Sequence, residues 1–157
     1  MLKDGLINKL DSTEGFFNNT LSVCEEKDSN YKPSEDMFTL AQQVAHVAQT
    51  VDWFLDGMFS KTGFDLNFDA HQRVILMQKS LTESKAWLEK SFNEFKEKIE
   101  TVDDELLKER IAPGPIMGGV PRYIVVGALA DHTAHHRGSI SVYIRMLGKV
   151  PPMPYEE

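Results

Sequence analysis

An all-α fold, a four-helix bundle, is what this sequence predicts, and three observations carry that expectation. Apolar residues recur at steps of three, four or seven in four separate stretches, which is the helical period. Strand-like alternation is weak throughout. The chain has 157 residues, 41% hydrophobic and 26% charged, an ordinary balance for one globular domain spanning 1–157.

The first stretch sets Leu6, Leu10, Phe17, Leu21 and Cys24 along one stripe and ends in the polar run EEKDSNYKPSED. The second is predicted to begin after Pro33, with Ser34 as N-cap and acidic residues in the first turn. Its aliphatic stripe is Leu40, Val44, Val47, Val51, Leu55 and Met58, and SKTGFDLNFD follows as a loop. The third helix is expected from Asp69 to Ile99, with Val74, Met77, Leu81, Leu88, Phe92, Phe95 and Ile99 in a near-heptad pattern. Its lysines and glutamates form a solvated outer face. APGPIMGGVPR, with three prolines and three glycines, cannot be a regular helix and reads as a loop of the kind that lines sites. The fourth helix is predicted from Pro121 to Gly148, where Pro151 and Pro152 prevent it from resuming.

Bulk properties narrow the function. The formal net charge of −7 disfavours nucleic acid as a partner, since phosphate binding needs a basic surface. No apolar run is long enough for a signal peptide or a membrane span, and no polybasic segment addresses anionic lipid, so the expected location is cytoplasmic. The lone cysteine, Cys24, cannot form an internal disulfide, which suits a reducing compartment; it reads as a small buried thiol more readily than as a nucleophile.

Three of the five histidines, His132, His135 and His136, fall within the run DHTAHHRG. With about 100° per residue, His136 lies roughly 40° from His132 on the helical wheel, among Val125, Leu129 and Tyr143. Both imidazoles therefore point inward, and His135 sits at the edge of that face. Two buried neutral imidazoles leave nitrogens in need of partners, and one divalent metal satisfies both. The position after His132 is Thr133, so the glutamate base of an HExxH peptidase is missing. A third ligand has two candidates. His71 lies at a charged helix start and is expected to face solvent. His46 lies mid-helix among alanines and valines, about 200° from Val44, on the side of Thr50, Trp53 and Phe54.

The residues HVAQTVDWF from His46 and HTAHHRGSISVYIRMLGKVPPMPY from His132 make the chain resemble the DinB family of bundle metalloproteins, which includes the YfiT-like proteins. The resemblance covers essentially the whole chain. It implies a bundle of up-down-down-up order. It also implies a metal triad of one histidine on the second helix and two on the fourth, here His46, His132 and His136. Three histidines leave a coordination position open for water or substrate, as catalytic sites require. Zinc or nickel suits imidazole.

The implied function is that of a metal-dependent enzyme acting on a small-molecule substrate: a thiol-dependent S-transferase first, with a low-molecular-weight thiol as co-substrate. The alternatives are a metal-dependent hydrolase, for which the sequence shows no general base, and a non-enzymatic, stress-related metal-binding protein. Tyr143 and Ser139 share the histidine face and are candidates to orient a ligand, although Tyr143 reads first as a core tyrosine. APGPIMGGVPR is expected to border the mouth of the site. A homodimer is expected because family members often pair, and because Trp53, Phe54, Phe59 and Trp87 are many large apolar groups for one small core.

Overall fold

The first apolar stripe becomes helix α1, Leu2–Leu21, in the computed structural model of the protein, which describes residues 1–155. It buries Leu10, Phe17 and Leu21 on one side. Cys24 lies just past its end and is buried, and burial pushes its thiol pKa up, as for an inert core thiol.

Helix α2, Leu40–Phe59, starts later than the sequence pattern suggested. Residues 33–39 form turns and extended chain, and the cap is Thr39 rather than Ser34. Thr39 Oγ1 accepts from the Gln42 amide at 3.2 Å, while Gln42 Oε1 accepts from the Thr39 amide at 3.0 Å. This reciprocal pair is a capping box built with glutamine. The acidic residues after Ser34 imitate a first helical turn without supplying that pair. Replacing Thr39 by Ala is expected to cost about 1 kcal/mol and to lower the melting temperature by about 2–4 °C, read by thermal denaturation.

The expected third helix is two. Helix α3 is Phe68–Leu76 and helix α4 is Leu81–Thr101. Ser80 accepts from the Glu83 amide at 3.1 Å and starts α4. Ser80 and Glu83 are a helix-start signature lying inside the heptad run. The break turns α3 out of register: Val74 and Met77 are 45% and 74% exposed, and Ile75 is the buried residue of α3.

A short helix α5, Asp104–Lys108, precedes the proline- and glycine-rich loop. The loop folds back on itself through an antiparallel bridge between Arg110 and Pro121, with the Ile111 amide donating to the Val120 carbonyl at 2.9 Å. A β-carbon on Gly118 would collide with the backbone of Gly114, so the tight return needs glycine there. Helix α6 is Ile124–Met146 and ends at Gly148, whose φ of 77° is left-handed.

Helix α4 packs against α1 and α2, and α6 packs against the same two. Contacts at the helix ends give their directions. Lys3 at the start of α1 donates to the Glu100 carbonyl at the end of α4, at 3.1 Å. Lys98 near the end of α4 lies over the ring of Phe59 at the end of α2. Arg122, just before α6, donates to the Met58 carbonyl at 2.6 Å. Lys149, just after α6, donates to the Val23 carbonyl just after α1, at 3.0 Å. These contacts put the start of α1, the ends of α2 and α4 and the start of α6 at one end of the bundle. The core is shared among the four long helices, with Phe17, Val44, Val51, Leu88, Phe92, Phe95, Leu129 and Ile144 all buried. Trp53, Phe59 and Trp87 are half-buried against it and Phe54 is buried, so the large apolar side chains are accommodated within the bundle. No strand occurs among the described residues, and no helix there is long and apolar enough to cross a membrane.

Candidate metal centre

Helix α2 is flanked by α4 on one side and by α6 on another, so it buries two faces. Its aliphatic stripe serves one, and His46 belongs to the other. That answers why a histidine stands off the stripe of a largely buried helix. Facing it, α6 presents His132 and His136 one turn apart.

The structure brings the three together. One nitrogen from each ring lies within 4.8 Å of the others, and all three residues are half-buried. Ring centroids are 4.5 Å apart for His46 and His136, 4.5 Å for His132 and His136, and 5.2 Å for His46 and His132. Nδ1 of His46 and Nδ1 of His132 are buried without a hydrogen-bond partner. Leaving such atoms unpaired costs about 1–3 kcal/mol each, so the cluster suits an electron-pair acceptor. Three imidazoles without a thiolate fit a divalent first-row ion.

His136 is held by a chain the sequence reading missed. Tyr143 Oη donates to the Phe38 carbonyl at 2.9 Å. It therefore accepts from Gln43 Nε2, at 3.2 Å. That orients the Gln43 amide so that its Oε1 accepts from His136 Nδ1, at 3.0 Å. The proton is thereby fixed on Nδ1 of His136, and Nε2 keeps its lone pair free. Tyr143 is 1% exposed and acts inside this chain. The signal was present as a buried glutamine three residues before His46, on the same side of α2.

Burial pulls all three imidazoles toward the neutral form, and the neighbouring rings add to it. His46 is lowered, His132 falls to about 4 and His136 to about 3. At neutral pH their lone pairs are free. In the unfolded chain these groups protonate near pH 6.5. The folded form thus binds fewer protons below that value, and stability that is full above pH 6.5 is lost as pH falls toward 4. Metal-free protein should show a falling melting temperature between pH 6.5 and 4.5, above the usual carboxylate range. The double variant His132→Gln, His136→Gln should flatten that slope, and an unchanged slope would contradict the assignment.

The remaining histidines stay outside the cluster. His135 is exposed on α6. His71, on α3, is half-buried, with Nε2 3.2 Å from the Asp65 carboxylate. Ser139 donates to the His135 carbonyl, away from the three rings. A cavity of about 360 Å³ opens beside the cluster, lined by His46 and His132 with Trp53, Phe54, Phe68 and His71. APGPIMGGVPR contributes nothing to that lining, contrary to expectation. Its Arg122 end is tied to Met58 at the far end of α2. The long α6 carries the loop away from His132, and α3 takes its place.

Fold and site together define an all-helical bundle protein with a three-histidine cluster between two of its helices. The family model of the DinB superfamily matches residues 10–140, and the chain belongs to that superfamily. Solved structures share the fold. YfiT from Bacillus subtilis, described as a probable metal-dependent hydrolase with an unusual four-helix bundle topology, aligns at TM-score 0.71 and 16% identity, over 94% of this chain and 88% of that one. A DinB-like protein from Bacillus subtilis aligns at TM-score 0.63 and 15% identity, over 99% of both chains. A protein from Streptococcus pneumoniae aligns at TM-score 0.67 and 18% identity, over 94% of this chain and 91% of that one. No curated protein matches the chain.

Proposed function

We propose that His46, His132 and His136 hold one divalent transition metal, zinc or nickel, and that the protein is a metal-dependent S-transferase using a low-molecular-weight thiol. The observation that carries this reading is three imidazole nitrogens within 4.8 Å of one another, with two buried Nδ1 atoms lacking any partner. Such an ion, when bound, supplies Lewis acidity that lowers the pKa of a coordinated thiol or water. The chain's own residues do the rest. Gln43 and Tyr143 fix the tautomer of His136. The aromatic walls of the adjacent cavity present apolar surface beside the cluster.

Hydrolysis is the second reading, favoured by the description of YfiT. The experiment supplies metal-loaded protein with 1-chloro-2,4-dinitrobenzene and, in turn, glutathione, bacillithiol or mycothiol. Conjugate above the uncatalysed rate, lost on chelation, is the expected result. Turnover of p-nitrophenyl acetate without any thiol, and no conjugation with any of the three, replaces the transferase by the hydrolase.

Gln43→Ala should weaken metal affinity by about 10–100-fold while leaving the bundle folded, because it frees the His136 ring without removing a ligand. Competition with a chelating dye measures it, and circular dichroism checks the fold.

A further inference from the structure

The cavity beside the histidines has a composition that selects what can enter it. Two walls come from α2: Trp53 and Phe54 stack edge-on with centroids 5.2 Å apart. Phe54 also faces the His132 ring at 6.4 Å, and Phe38 faces His46 at 5.7 Å. Ile75 and Phe68 of α3 close the opposite side. Trp53 spends its indole N–H on the Asp65 carbonyl at 2.7 Å, so it offers the cavity its ring and not its donor. Gln49, Thr50 and Gln72 also line the cavity, but none carries a charge, so a charged group there would lose hydration without gaining an opposite charge. The volume, about 360 Å³, is at the small end for ligand pockets and suits one ring-sized group. Stacked aromatic walls favour a flat one.

At the edge stands His71. Its Nε2 is buried and lacks a hydrogen-bond partner, because the Asp65 carboxylate, though 3.2 Å away, is out of alignment. His71 is nonetheless a polar residue of the cavity lining.

We propose that this cavity binds an uncharged, ring-sized apolar group of the substrate, with His71 as a polar contact at its edge. The reacting end of the same substrate lies at His46 and His132; that part of the proposal rests on the metal-dependent reading above.

The test separates the two. Metal-free, ¹⁵N-labelled full-length protein is titrated with benzamide, acetamide and benzoate while the indole signal of Trp53 is followed. The chain has two tryptophans, and a Trp87→Phe variant assigns the signals. Benzamide should shift the Trp53 signal saturably and bind at least about tenfold tighter than acetamide or benzoate, as burial of a ring against a methyl implies. Thr50→Phe, which fills the cavity from its buried α2 wall, should abolish that preference. Phe68→Ser, at an exposed rim position that the fold does not need, should weaken it. His71→Phe should weaken benzamide and acetamide alike, because both lose the polar contact of the amide they share. Equal affinity for benzamide and acetamide, or benzoate binding as well as benzamide, overturns the proposal. Metal-loaded protein is then titrated with benzohydroxamate. Tighter binding than benzamide joins cavity and metal; no gain sinks the metal reading and leaves the cavity assignment standing.

Discussion

His132→Ala is expected to purify without metal. The residue supplies one of three imidazoles whose nitrogens meet within 4.8 Å, and two imidazoles make a poor site. Loss of an outer-shell partner alone costs roughly 10–100-fold in affinity, so removing a ligand should exceed about a hundredfold. His46→Ala and His136→Ala should behave alike. His71→Ala should retain full occupancy, since His71 stands outside the three-histidine cluster. Elemental analysis of protein purified without a polyhistidine tag decides the matter. Full occupancy in His132→Ala would remove it from the ligand set. The metal-free melting temperature of these variants should stay close to that of the parent at pH 7.5. Each substitution deletes a half-buried ring but also, for His46 and His132, a buried nitrogen that lacked a partner.

Phe92→Ala is expected to be the most damaging single change to the fold, at about 3–5 kcal/mol. Phe92 is fully buried on α4, the helix that packs against both α1 and α2. Removing its ring opens a void in a core whose members, Phe95, Leu88 and Phe17 among them, are themselves fixed by burial. Chemical denaturation measures the loss. A cost below 1 kcal/mol would mean that the core can close around the gap. Met77→Ala, by contrast, should be nearly silent, because Met77 is 74% exposed despite its place in the heptad pattern.

That pair of residues shows what was legible in the sequence. Periodicity finds helices because burial is periodic, and α1, α2, α4 and α6 all fall on the predicted stretches, with α4 running past Ile99 to Thr101. It cannot see a break that preserves the pattern across it. Met77 and Leu81 are four apart in sequence, yet Ser80 starts a new helix between them, so one is exposed and the other buried. The capping chemistry of Ser80 with Glu83, and of Thr39 with Gln42, was readable and outranked the apolar spacing. At the site, His132 and His136 followed from wheel geometry on one helix. His46 followed from the family resemblance, because no local rule ties residue 46 to residue 136. Gln43 was missed for a related reason: its role exists only once Tyr143, 100 positions away, is brought against it.

The Gln43–His136 bond joins positions 93 apart, across helices that enter the bundle second and last along the chain. A contact of such long range closes a large loop, and its late formation is the expected result of a kinetic analysis of Gln43→Ala. Anything that binds at that junction therefore recognises the finished bundle and not its precursors. Its effect falls on the rate of unfolding, while the rate of folding stays as the helices set it. A centre filled only in the finished bundle would be a latch, adding nothing to the speed of assembly and lengthening the life of what has been assembled.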